Sequence, residues 1–116
     1  MGLFGKTSSD YLVEDIQELV GQTNRQLAAM SDSLVANNGI SYSNMQEISD
    51  ISERLTHLFS QVESKVNQLP SSKQSSLTVP WIDGRYFPFA MWAMSYNMAI
   101  NRLRIAFKKW KDENGI

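Results

Sequence analysis

Two consecutive stretches of this chain repeat their apolar residues at alternating steps of three and four, and that spacing excludes most folds. A strand alternates every second residue, whereas a helix that buries one stripe repeats every 3.6. The first stretch reads Leu12, Ile16, Leu19, Thr23, Leu27, Met30, Leu34, a heptad seam with one polar member, widened by Val13 and Val20. The second reads Ile48, Ile51, Leu55, Leu58, Val62, Val66, Leu69, with Met45 and Phe59 alongside.

End signals bracket both stretches. Thr7, Ser8, Ser9 and Asp10 offer oxygens to the orphan amides of a helix start, and Glu14, Asp15 and Glu18 suit the positive end of its dipole. Asn37-Asn38-Gly39 tolerates the left-handed backbone that ends helices. Ser43 followed by Gln46 has the form of a capping box, and Pro70 cannot continue a helix. These signals predict helices over 7–38 and 43–69. The short connection between them requires an antiparallel hairpin. Each helix would be about 40 Å long at 1.5 Å per residue, so the hairpin is a rod that needs a third helix or a second copy to cover it.

The remainder is a loop over 70–87 and a third helix over 88–112. Residues 70–78 read as a flexible crossing segment rich in serine. Asp83-Gly84 between apolar neighbours is a tight-turn signal. Pro80 and Pro88 would limit any hairpin there, so an ordered aromatic loop is the preferred reading, with Pro88 in the first turn of the third helix. Asn114-Gly115 is its stop. The expected fold is therefore one all-α domain over 1–116: an antiparallel hairpin of two long helices plus a third aromatic-rich helix, as a three-helix or oligomeric helical bundle.

The third helix carries the most information. Its stripe is Phe89, Trp92, Tyr96, Ala99, Leu103, Ala106 and Trp110, flanked by Ile100 and Phe107. Such a stripe reads as core. Roughly opposite lie Met91, Met94 and Met98, so the first half is apolar on both sides and needs cover beyond one hairpin. The second half is basic through Arg102, Arg104, Lys108, Lys109 and Lys111. Methionine adapts to irregular partner surfaces, and Trp81, Arg85 and Tyr86 in the preceding loop are residue types enriched at interface hot spots.

Composition closes off other functions. The 116 residues include no cysteine and one histidine, which excludes disulfides, thiol nucleophiles and multi-histidine metal sites. His57 and Glu53 are four apart on the second helix, a spacing read as a surface pair. Gly5-Lys6-Thr7 ends like a phosphate loop, but the spacing from Gly2 is too short and no strand precedes it. No Glu-x-x-His pattern of a di-metal bundle occurs. No cofactor is expected, and no enzyme.

Charge divides the chain: residues 1–69 hold nine acids against four bases, and residues 70–116 seven bases against three acids. The acidic half and the absence of a reading motif argue against nucleic acid as a partner. The basic cluster is expected to pair with the acidic hairpin. The start lacks a signal-peptide pattern, Lys6 breaks the myristoylation pattern, and the apolar-rich run over 87–100 is too short to span a bilayer. The expectation is a cytoplasmic, non-catalytic helical interaction module, an adaptor, assembly or inhibitor protein. It would self-associate and bind another protein through Trp81, Arg85, Tyr86, Met91, Met94 and Met98, with Arg102, Arg104, Lys108 and Lys109 steering by charge. The alternative is a peripheral protein that binds anionic lipid through the basic third helix, with Leu3 and Phe4 as further lipid contacts.

Overall fold

The structure, a computed structural model, describes residues 7–116. Leu3 and Phe4 lie outside the described residues. Six elements follow one another: α1 (Ser8–Ala36), α2 (Met45–Asn67), α3 (Ser71–Ser76), β1 (Thr78–Pro80), β2 (Tyr86–Pro88) and α4 (Phe89–Glu113). Helix dominates, in agreement with the all-α class, and a two-stranded antiparallel sheet is added to it.

Helix α1 starts at a full capping box. The Asp10 amide donates to Thr7 Oγ1 at 3.2 Å, and the Thr7 amide donates to Asp10 Oδ2 at 3.0 Å. It ends as its sequence requires: Asn38 has φ 53° and Gly39 φ 110°, and the Gly39 amide returns to the Leu34 carbonyl at 2.8 Å.

The start of α2 differs from the expected Ser43–Gln46 box. Ser43 Oγ donates instead to Asn37 Oδ1 at 2.8 Å. Asn44 is the capping position but does not bond the α2 backbone through its side chain. Its Oδ1 accepts the Ser41 amide at 2.8 Å, and its Nδ2 donates to the Gly39 carbonyl at 2.9 Å and the Ser33 carbonyl at 3.3 Å. Asn44 is almost fully buried, so one side chain ties the end of α1 to the start of α2. A buried amide gains more from satisfying three turn groups than from capping one helix amide.

Residues 70–88 hold the larger correction. The segment read as a flexible crossing contains α3, a two-turn helix whose first free amides, Lys73 and Gln74, bond the Pro70 carbonyl. The segment read as a loop is a β-hairpin with pairs Thr78↔Pro88, Val79↔Phe87 and Pro80↔Tyr86. Bonds from Phe89 N to Leu77 O and from Trp81 N to Arg85 O set the alternation of the ladder. Both prolines therefore fall at non-hydrogen-bonded pairs, where the missing N–H is not needed. Gly84 closes the turn at φ 86°.

The core has two lobes along the rod. One gathers Ile16, Val20, Val62, Val66, Leu77, Val79 and Trp92; the other Met30, Ile48, Ile51, Leu55, Tyr96, Ile100 and Leu103. Their membership makes α1 and α2 antiparallel and sets α4 parallel to α1, with Trp110 reaching the α1–α2 turn at Tyr42. Phe59 of α2 belongs to both lobes. Its ring stacks on Tyr96 at 4.1 Å and 3°, and on Trp92 at 5.8 Å. Close backbone approach is concentrated between α1 and α2, and the large rings hold α4 further off. That spacing leaves a groove on each side of α4.

Candidate functional site

A groove between α1 and α4 has a volume of about 900 Å³. Leu27, Leu34 and Val35 of α1 form one wall. Met98, Arg102 and Leu103 of α4 form the other, and Trp81 and Ile82 of the hairpin close one end. Its lining is mainly apolar, the composition of a recognition surface.

A single buried amide positions that end. Asn24 Nδ2 donates to the Pro80 carbonyl at 2.8 Å, while Asn24 Oδ1 accepts the Trp92 indole N–H at 2.9 Å. Gln17, two turns earlier on the same face of α1, donates to the Thr78 carbonyl at 3.0 Å. Strand β1 is thus laid along α1, and Trp92 is locked against both. Every buried side-chain nitrogen and oxygen of the described residues has a hydrogen-bond partner, so the groove floor presents no orphaned polar atom.

Beside the groove stands a ridge. Met91, Met94, Met98 and Ile105 are 54%, 64%, 51% and 63% exposed. Spacings of three, four and seven place them on one face of α4, and Met98 belongs to both ridge and groove. Val35 and Ile82 on the groove walls are also well exposed. Exposed large apolar side chains grouped on one face mark a candidate interaction face.

The expected contact residues divide among several places. Trp81, Met98 and Arg102 meet at the groove. Met91 and Met94 lie on the ridge. Arg104 lies on the other flank of α4, near Phe59, Glu63 and Tyr96. Tyr86 is exposed on β2. Arg85 is engaged locally: its Nε meets Asp83 Oδ2 at 2.7 Å, and its guanidinium lies 5.5 Å from the Phe87 ring centroid. The Arg85 amide and side chain hold the Asp83 carboxyl below its usual pKa of 3.8.

Two members of the basic cluster do not pair with the acidic hairpin. Lys108 meets Asp112 at 3.2 Å and Lys109 meets Glu113 at 3.9 Å, both one turn away on α4 itself. The local acids are within reach of a long side chain without any tertiary alignment. Arg102 has no ion-pair partner among the described residues. Burial pushes the Tyr96 phenol from 10.0 up to about 12, with Arg104 opposing and Glu63 adding to the shift.

Sequence reading missed Asn24, Val35 and Ile105. Ile105 was findable, seven residues beyond Met98. Asn24 was not, because its role depends on β1 and Trp92 meeting above it. His57 is exposed and bonds Gln61 at 3.0 Å across one helical turn. Among the described residues no three His, Asp or Glu side chains cluster as metal ligands would, and no helix is long and apolar enough to cross a membrane. No family model matches the chain, and neither the curated proteins nor the solved structures contain a significant match.

Proposed function

We propose that this chain is a non-catalytic helical protein–protein interaction module whose recognition surface is the α1–α4 groove together with the Met91–Ile105 ridge. One observation carries the reading: four exposed large apolar side chains on one face of α4, with Asn101 and Arg102 between Met98 and Ile105, beside a groove of about 900 Å³ lined mainly by apolar groups. Burying such side chains in a partner contributes about 1.5–3 kcal/mol each before the costs of association. Chemistry has no comparable support, since the titratable groups near the groove form no nucleophile–base pair. An adaptor, assembly or inhibitor protein needs only such a surface.

The test is affinity capture with the chain and with Met98→Glu as baits. A partner held by the parent chain and released by Met98→Glu, with unchanged far-UV helicity, supports the reading. Partners retained equally by both baits overturn it.

A second reading rests on Ile105, exposed beside Arg102 and Lys109 on the basic half of α4. Apolar and basic side chains in one band suit an anionic lipid surface. Flotation with vesicles containing phosphatidylserine separates the two: binding that requires anionic lipid and weakens with salt favours the membrane.

A further inference from the structure

Resting on the reading of this face as a protein-recognition surface, we infer that its occupant is a second copy of the same chain. In a two-fold dimer, α4 of each copy lies antiparallel to the other's, and each ridge enters the other's α1–α4 groove.

Shape comes first. Ridge and groove share an edge at Met98, so convex and concave surfaces lie side by side on one face. A two-fold axis satisfies such a pair with a single contact type, each ridge filling the other groove, and the assembly closes. The ridge runs from Met91 to Ile105, about 21 Å at 1.5 Å per residue, and Met98 is its midpoint.

Charge then selects the direction. No charged residue occurs from Tyr86 to Asn101, and all five bases of α4 fall between Arg102 and Lys111. An antiparallel crossing centred on Met98 lays the uncharged half of each α4 over the basic half of the other and so separates the two basic halves. A parallel crossing stacks the basic halves together. Keeping like charges apart in this way fixes the orientation.

Light scattering on the full chain across a range from micromolar to about 100 micromolar is the first arm. The expected mass is twice the 13.2 kDa of one chain. Met98→Glu, at an exposed site, is expected to raise the dimer Kd about 100-fold or more, since both copies place the carboxylate in the apolar contact. Orientation is the second arm, made simple by the absence of cysteine. Met98→Cys is expected to oxidise to a disulfide-linked dimer. Met91→Cys and Ile105→Cys are expected to cross-link when mixed, and neither alone. A monomeric parent chain throughout the range overturns the inference. So do disulfides formed by Met91→Cys alone and Ile105→Cys alone, which report a parallel pair. If the chain is monomeric and Met98→Glu still releases an unlike partner, self-pairing fails and the interaction reading stands. If Met98→Glu affects neither mass nor capture, both fail.

Discussion

Asn24 holds three elements with one side chain. It accepts from Trp92 of α4 and donates to Pro80 of β1 while belonging to α1. Removing the amide leaves a buried indole N–H and a carbonyl without partners, and each such group costs about 1–3 kcal/mol. Asn24→Ala is therefore expected to destabilise the chain by about 2–4 kcal/mol and to lower Tm by about 10 °C. Thermal unfolding checks the size. The same substitution in a Trp92→Phe background should cost measurably less, because the indole partner is already gone. Tyr96 makes a pH prediction. Its folded pKa, about 12, is raised above the unfolded 10.0 by burial. The neutral phenol is therefore favoured by the fold, the associated stability is complete below pH 10, and it is lost as pH rises from 10 through about 12. Denaturant unfolding measured at pH 9 and pH 11 should show the fall, and Tyr96→Phe should flatten it. An unchanged slope in that variant removes Tyr96 as the cause.

At the scale of elements, the β1–β2 hairpin tests the account of the prolines. Pro80 stands at a non-hydrogen-bonded pair, so Pro80→Ala is expected to change stability by no more than about 1 kcal/mol. Phe87→Pro instead removes an N–H that the ladder uses and should release the hairpin, seen as altered Trp81 fluorescence and faster amide exchange. Gly84→Ala meets no atom within 4 Å. Its cost comes from φ 86° alone, about 1–2 kcal/mol. A larger loss would point to a contact rather than to the backbone. The aromatic stack of Phe59 on Tyr96 and Trp92 joins α4 to α2 alongside the aliphatic contacts of both core lobes. Phe59→Ala removes it, and a loss of about 2–4 kcal/mol is expected, below a fully enclosed phenylalanine because Phe59 is half-buried.

At the scale of the molecule, the chain is a rod. Its radius of gyration is 16.9 Å and its long axis 60 Å, against about 13 Å expected for a compact chain of similar length. Small-angle scattering should return that elongated profile for Met98→Glu. For the parent chain, a side-by-side dimer keeps nearly the same longest dimension while the mass doubles. End-to-end association would instead nearly double the length. The rod also accounts for the exposed ridge, because a narrow molecule has little interior in which to hide a helix whose first half is apolar on both sides.

The long helices, their antiparallel pairing and the stops at Asn37-Asn38-Gly39 and Pro70 are legible from residues alone. They rest on local rules, since the spacing of Leu, Ile and Val selects a helical face and glycine or proline ends it wherever the chain goes. The buried stripe of α4 was legible for the same reason, as was its exposed methionine face. Other features depended on what arrives from far along the chain. Ser43 satisfied the local capping rule, yet the buried amide of Asn44 reorganised that turn. Pro80 and Pro88 argued against strands until the register placed both at positions that need no donor. The groove belongs wholly to this second class: its width is the distance at which rings on α4 hold that helix from α1, a property of packed volumes that no single segment contains.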